Sequence, residues 1–95
     1  MFLHIGKDLV IPLKELIAII DAESALKLED TKNFLKVAGE EGFIYDISEG
    51  KIKSYIITEK VDKDKDNFSE VRKSVIYGSN ISSTTLLKRA GLLII

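Results

Sequence analysis

Apolar residues form three short runs within the first twenty positions of the chain. The runs at residues 2–5, 9–11 and 16–20 are rich in Ile, Leu and Val, and turn-forming or polar residues separate them. This pattern predicts three short β-strands, the first two joined by a tight turn. The third run is apolar throughout, so both of its faces need cover. We expect helices of this chain on one face and a second copy on the other.

Helical spacing replaces this pattern between residues 24 and 42. Acidic residues at 29 and 30 suit a helix N-terminus, and the glycines at 39 and 42 can end a helix. These features predict a helix near residues 29–41. The residues that repeat at helical spacing are Leu28, Thr31, Phe34, Leu35 and Ala38.

The second half of the chain alternates between strand and turn signals. Residues 43–47 predict a strand, residues 48–51 a turn, and residues 52–59 an antiparallel hairpin partner for that strand. The charged stretch at residues 60–70 has little to bury and is typical of a solvated hairpin tip. Residues 71–77 predict a further strand.

A short C-terminal helix follows the break at residues 78–80. Ser82 or Ser83 can cap it, and Gly91 can end it. The helix is predicted to bury Leu86, Leu87 and Ala90 and to carry Lys88 and Arg89 in its last turn. The four apolar residues at 92–95 are expected to join a sheet edge or a neighbouring subunit.

Taken together, these elements predict one α+β domain over residues 1–95. It has a mainly antiparallel sheet of five or six strands, a mid-chain helix and a short C-terminal helix. A 95-residue chain buries only about two-thirds of its unfolded surface. Because the chain has no cysteine to form a disulfide, we expect a homo-oligomer that buries more.

Composition excludes several classes of protein. Hydrophobic residues make up 45% and charged residues 31%, which differs from disordered or fibrous chains. The absence of cysteine excludes thiol nucleophiles and zinc-thiolate sites. No apolar run reaches membrane-spanning length and the first residues do not resemble an export signal, so we expect a cytoplasmic protein with no membrane partner.

Charge is divided unevenly along a chain whose net charge is -1. Residues 21–50 hold three lysines and eight acids, whereas residues 51–95 hold nine basic residues and five acids. This division suits a surface that attracts an anionic partner. Ordinary drift in the charge of small segments explains the same numbers, and the sequence leaves both interpretations open.

Catalytic and metal-binding patterns are incomplete. Residues 62–67 resemble the start of a calcium loop, but Asn67 replaces its glycine and Lys73 its final glutamate. Gly50-Lys51 lacks the rest of a P-loop, and His4 has no catalytic partner at a diagnostic spacing. We expect no enzyme, cofactor, metal or small-molecule substrate.

Long cationic side chains close to turns and a helix end are the remaining candidates for chemistry. Such side chains neutralise phosphates, and copies around an oligomer add their contributions to nucleic-acid binding. Helix C-termini also favour basic residues without any ligand. The candidate phosphate contacts are Lys51, Lys53, Lys88 and Arg89, followed by Arg72 and Lys73.

Four stretches of the chain resemble a known family. Residues 2–11 (FLHIGKDLVI) and 16–21 (LIAIID) are similar to the first hairpin and third strand of the bacterial extracellular matrix regulators of the RemA/RemB type. Residues 53–58 (KSYIIT) resemble the central strand of that family. Residues 81–90 (ISSTTLLKRA) resemble its terminal helix, especially in the RemB-like branch.

The resemblance implies a cytoplasmic DNA-binding transcriptional regulator of biofilm-matrix genes that assembles into a ring. In the RemA-like branch, DNA contact is associated with arginines in the early loop and after a glycine in a hairpin. This chain has Lys14 and Glu15 in its early loop and Gly50-Lys51-Ile52-Lys53 in the hairpin. Lysine neutralises phosphate but lacks the planar fork with which arginine reads guanine.

A second functional class stays open beside DNA binding. An oligomeric module that binds a partner protein and no nucleic acid also suits the acidic middle segment, the missing arginines and the net charge of -1. The salt dependence of binding to unrelated duplexes distinguishes the two, because several phosphate contacts predict a steep loss of affinity with salt.

Overall fold

The computed structural model describes residues 1–63 and 70–91, which form six strands and three α-helices. The strands are β1 (Phe2–Gly6), β2 (Leu9–Pro12), β3 (Leu16–Asp21), β4 (Ile44–Asp46), β5 (Ser54–Lys63) and β6 (Glu70–Ser79). The helices are α1 (Ala22–Lys27), α2 (Glu29–Glu40) and α3 (Ser83–Arg89). A single 3-10 turn, Leu13–Glu15, joins β2 to β3. The predicted α+β class is confirmed.

The six strands divide between two sheets. Strands β1 and β2 form an antiparallel hairpin, in which Lys7 and Asp8 both adopt positive φ angles at the turn. The other four strands lie in the order β3-β5-β6-β4. Both β3 and β6 run antiparallel to β5, so the predicted mainly antiparallel arrangement is confirmed.

The two faces of the four-stranded sheet pack against different layers. One face carries Ile56 and packs with the first hairpin and α3 in a core that includes Leu86. The opposite face carries Ile57 and Ile76, which line a groove together with residues of α2. Because side chains alternate along a strand, neighbouring residues of β5 serve the two layers in turn. The most buried members of the core cluster are Leu3, Ile5, Ile11, Ile47, Ile56 and Leu86.

Local signals correctly predict two of the three helices. Helix α2 covers almost the whole predicted range, and the Ser82 hydroxyl caps α3 by accepting a hydrogen bond from the Thr85 N–H. Gly91 follows α3 with a φ of 74°. The sequence analysis does not predict helix α1. It begins after Asp21, whose carboxylate accepts hydrogen bonds from the backbone and hydroxyl of Ser24.

The predicted hairpin between residues 43–47 and 52–59 is wrong. Strand β4 pairs in parallel with β6, and β6 separates it from β5. The connecting residues cross the end of β6: the Ile47 N–H donates to the Gly78 carbonyl and the Lys53 N–H to the Ser79 carbonyl. The chain therefore passes over β6 before it enters β5.

Several predictions concern residues near or beyond the described ranges. Strands β5 and β6 pair as far as Lys63 and Glu70, so the outer part of the predicted hairpin tip, residues 64–69, lies outside the described residues. The same holds for most of the calcium-like pattern and for the apolar end, residues 92–95. No helix within the described ranges is long and apolar enough to cross a membrane.

Candidate nucleic-acid interface

The six candidate phosphate contacts lie in three separate places. Lys51 and Lys53 belong to the connection between β4 and β5, which we call the 47–53 loop. Lys88 and Arg89 end α3. The third pair, Arg72 and Lys73, lies within β6. All six residues are exposed.

Backbone hydrogen bonds hold the 47–53 loop at both ends. Besides the bonds from Ile47 and Lys53 to β6, the Lys53 carbonyl accepts a hydrogen bond of 3.0 Å from the Ala22 N–H at the start of α1. Lys53 is therefore tied to β6 and to α1 through its main chain. The backbone of the lysine is fixed while its side chain is exposed.

A glycine allows the loop to cross β6 closely. A Cβ atom added to Gly78 would lie 2.6 Å from Cδ1 of Ile52 and 3.1 Å from its Cγ1. Because carbon atoms do not approach so closely, any side chain at position 78 must displace Ile52. Ile52 lies between Lys51 and Lys53, so this contact positions both lysines.

The start of the loop is a tight turn with its own hydrogen bonds. Oδ1 of Asp46 accepts hydrogen bonds of 2.8 Å from the Ser48 N–H and 2.6 Å from its hydroxyl. These bonds lower the pKa of Asp46. Glu49 adopts a positive φ of 55°, and its carboxylate lies 4.0 Å from Nζ of Lys7 in the first hairpin. Lys7 is a cation near the loop that the sequence analysis did not single out.

Two acids share a surface depression with the lysines of the loop. The depression has a volume of about 370 Å³, and its lining includes Asp21, Glu23, Lys51 and Lys53. Asp21 caps α1. Its hydrogen bonds with Ser24, mainly with the backbone N–H and then with the hydroxyl, lower the pKa of Asp21. Within the described residues, neither Lys51 nor Lys53 takes part in a salt bridge.

The basic end of α3 lies away from the loop. Ser82, at the N-terminal end of α3, lines the depression with the two lysines. Seven residues of helix extend for about 10 Å, and Lys88 and Arg89 lie at the far end. Arg89 Nη1 donates a hydrogen bond of 3.3 Å to the His4 carbonyl. It also lies 3.5 Å from Nδ1 of the His4 imidazole ring. This contact directs Arg89 along β1.

Among the described residues, acidic neighbours pair with Arg72 but not with Lys73 in the third basic pair. Strands β5 and β6 extend beyond the layered part as a two-stranded arm, residues 59–63 and 70–74. On one face of this arm, Arg72 forms an ion pair of 2.9 Å with Glu59 and another of 3.7 Å with Glu70. Lys73 is on the opposite face and pairs in register with Lys60. These two acids reduce the positive charge that Arg72 presents to an anionic partner.

The early loop lies at the other end of β3 from the lysines. Lys14 and Glu15 are in the 3-10 turn before Leu16, whereas Asp21 at the end of β3 pairs with Ser54, next to Lys53. Six strand residues separate these ends by about 17–20 Å. Among the described residues, no cluster of three His or acidic side chains could hold a metal ion.

One protein family accounts for nearly the whole chain. Residues 2–90 match the family model described as RemA-like, extracellular matrix regulatory protein A-like. The chain belongs to this family. RemA-like proteins are regulatory proteins by this description, and the predicted family is confirmed, while the RemB-like branch stays a prediction. No curated protein matches the chain.

Proposed function

We propose that this RemA-like protein is an oligomeric DNA-binding transcriptional regulator of extracellular-matrix genes in the cytoplasm. Lys51 and Lys53 are its principal phosphate contacts, and Lys88 and Arg89 add to them. Arg72 and Lys73 contribute less because acids neutralise Arg72. The protein uses no cofactor and performs no enzymatic reaction in this proposal.

The observation that carries the proposal is a pair of exposed lysines on a backbone fixed by β6 and α1. A cation whose main chain is already ordered loses less entropy when it contacts a phosphate. The loop also contains the glycine-lysine sequence at the position to which the family resemblance assigns DNA contact. Lysine in place of arginine favours contact with phosphates over reading of base edges.

Assembly into a homo-oligomer, in the form of a ring, belongs to the same proposal. Two lysines on one protomer release few counterions, whereas repeated pairs on one assembly release many. Large apolar side chains at the surface support assembly: Phe2 is 68% exposed, Ile17 60% and Val10 52%. These residues lie on β1, β3 and β2, which are edge strands of the two sheets.

Charge reversal in the loop tests the proposal. We expect Lys51→Glu combined with Lys53→Glu to abolish retardation of a DNA duplex in an electrophoretic mobility assay at low salt. Lys32→Glu combined with Lys36→Glu makes the same charge change on exposed residues of α2 and is the matched control, with retardation retained. Light scattering should give the same assembly mass for both variants and the original chain. Unchanged retardation by the loop variant would rule out these lysines.

The alternative, an oligomeric module that binds protein and not DNA, gives a different result with salt. For the DNA-binding proposal, six or more phosphate contacts on an assembly reduce affinity by about a thousandfold or more between 50 and 200 mM salt. Binding too weak to detect at 50 mM salt would favour the protein-binding alternative.

A further inference from the structure

An apolar groove of about 480 Å³ lies between α2 and the sheet face that carries Ile57 and Ile76. It shares no lining residue with the depression at Lys51 and Lys53. The groove is lined by Phe34, Val37, Ala38, Glu41, Phe43, Ile57, Arg72, Ser74 and Ile76.

Three large apolar side chains at the groove are more than half exposed. Phe34 is 52% exposed, and Val37 and Phe43 are each 54% exposed. Apolar side chains clustered in this way typically mark a surface that another molecule covers. On the floor of the groove, by contrast, Ile76 is only 4% exposed because it is packed within the protein.

The charges on α2 are sorted by side. Asp30, Phe34, Val37 and Glu41 follow one another at intervals of four, three and four residues, which places them along one stripe of the helix. The stripe is thus acidic at both ends and apolar in the middle. By the same spacing, the two lysines of α2, at positions 32 and 36, lie on the opposite side of the helix.

The arm adds no net charge to the groove. On the face that continues from Ile57 and Ile76, Arg72 is paired with Glu59 and Glu70, and Lys63 is opposite Glu70 in register. Two cations thus accompany two acids on this face. The unbalanced charge therefore comes from Glu41, which lines the groove, and from Asp30, which helical spacing places one turn before Phe34 on the same stripe.

The backbone at the floor is unavailable to an added strand. Ile57 pairs with Ala18 on one side and with Ile76 on the other, and Ile76 pairs in turn with Ile44. An occupant can therefore bind only through side chains, as an amphipathic helix does when it lies in a groove. Asp30 and Glu41 are eleven residues apart, about 16 Å along the helix, which matches three turns of an occupant.

We propose that this groove binds an amphipathic helix of a partner protein, with apolar anchors in the middle and a basic residue near each end. The apolar anchors contact Phe34, Val37 and Phe43, and the basic residues face Asp30 and Glu41. The principal proposed DNA contacts, Lys51 and Lys53, lie outside the groove, and only the minor contact Arg72 lines it. The groove would let a regulatory protein bind a protein partner while its basic loop stays accessible.

A labelled synthetic peptide tests the groove. The probe is a helical peptide of about 14 residues, roughly 21 Å long, with leucines on one face and a lysine at each end. Fluorescence anisotropy should show saturable binding to the original chain. A peptide with glutamates in place of the two lysines should bind about tenfold more weakly, which corresponds to about 1.4 kcal/mol of binding free energy, because two exposed ion pairs are reversed.

Charge reversal on α2 provides the matched comparison. Asp30→Lys with Glu41→Lys should weaken binding of the lysine peptide about tenfold and strengthen binding of the glutamate peptide. Glu29→Lys with Glu40→Lys makes the same charge change at adjacent positions, about 100° around α2 from Asp30 and Glu41, and it should leave both affinities within about twofold. Circular dichroism should show equal helix content for the two variants.

Two results would overturn the proposal. Equal binding of the lysine and glutamate peptides to the original chain would remove the role of Asp30 and Glu41, whether or not the variants fold. A second copy of the chain could cover the groove instead. In that case Phe34→Gln with Val37→Gln would lower the assembly mass measured by light scattering, and the lysine peptide would not bind the original chain.

Discussion

The 47–53 loop and the arm formed by β5 and β6 each carry two of the candidate cations, but their surroundings differ. In the loop, main-chain bonds to β6 and α1 fix the backbone, and Lys51 and Lys53 form no salt bridge within the described residues. In the arm, Arg72 lies between Glu59 and Glu70. The neighbours of a basic residue thus decide whether its charge is available to an anionic partner.

In the part of the chain that the structure describes, the acids near the loop form no salt bridge with Lys51 or Lys53, unlike the glutamates that pair with Arg72. Asp21 and Glu23 share the depression with the lysines, but the Asp21 carboxylate accepts two hydrogen bonds of 2.9 Å from Ser24. Its orientation is therefore set by capping α1. An acid that caps a helix is held in place even where a cation is near, whereas the glutamates of the arm are directed at Arg72.

Replacing Gly78, where the loop crosses β6, should disturb the fixed backbone of the 47–53 loop. Gly78→Ala places a Cβ 2.6 Å from Cδ1 of Ile52, so Ile52 must move, and we expect the loop to shift with it. We expect the free energy of unfolding, measured with urea, to fall by about 1–3 kcal/mol, as for other overpacked sites. DNA retardation should weaken at the same time because the loop lysines lose their fixed backbone.

Two further variants identify the cause of that loss. Gly50→Ala changes a glycine that has no atom within 4 Å of the added Cβ and no positive φ, so it should change stability by less than about 0.5 kcal/mol. Combining Gly78→Ala with Ile52→Ala should give a smaller loss than the sum of the two single changes. Full stability of Gly78→Ala alone would contradict the proposed crossing contact.

Neutralising Glu59 and Glu70 should release Arg72 from its two ion pairs, so that the arm presents a cation to an anionic partner as the loop does. Glu59→Gln with Glu70→Gln removes both charges that face Arg72, and the exposed ion pairs contribute less than about 1 kcal/mol each to stability. If the assembly brings the arm to DNA, affinity should rise a few-fold. The slope of log affinity against log salt should steepen by about one for each additional phosphate that the protein neutralises.

Glu29→Gln with Glu40→Gln is the matched control for the arm variant. It removes two negative charges from exposed positions of α2, away from Arg72. The control should leave the salt slope unchanged. An equal rise in affinity for both variants would mean that net charge, and not the release of Arg72, controls binding.

The smallest expected effect concerns the acid beside the loop. Hydrogen bonds with Ser24 hold the pKa of Asp21 below its ordinary value of 3.8. The stabilisation from this carboxylate is complete above the ordinary pKa and is lost as the pH falls through the lowered pKa. Asp21→Asn keeps a good helix cap without the titration, so it should lose less stability than the original chain on acidification.

The same measurement separates capping from pairing with the lysines. Thermal unfolding from about pH 5 to about pH 2 covers the transition. Lys51→Met with Lys53→Met should keep the acid sensitivity of the original chain, because Ser24 is the main cause of the lowered pKa. Loss of that sensitivity in the lysine variant would show that Asp21 is paired with the loop.

Much of the secondary structure can be predicted from nearby residues. The capping of α3 by Ser82 and its end before Gly91 depend on hydrogen bonds and φ angles within one helix turn. Helix α1 escapes prediction because its six residues are too few to establish a clear helical repeat.

The candidate site is predictable only in part. Lys51 and Lys53 stand out by their place after a glycine, but nothing near them in sequence indicates that the loop crosses β6. Likewise, Arg72 is thirteen residues from Glu59, and only the pairing of β5 with β6 brings them together. The groove depends on α2 and β6, which are about thirty residues apart.

The α+β class and the positions of most helices and strands follow from the amino-acid sequence alone, because capping, turn chemistry and hydrophobic periodicity act over a few residues. Family membership follows from the similarity of residues 2–90 to the family model. The order of the strands, the parallel pairing of β4 with β6 and the neighbours of each cation required the three-dimensional fold. These features depend on contacts between residues far apart in the chain. Gly78 illustrates the difference: only the fold shows that a side chain at this position would collide with Ile52 where the loop crosses β6.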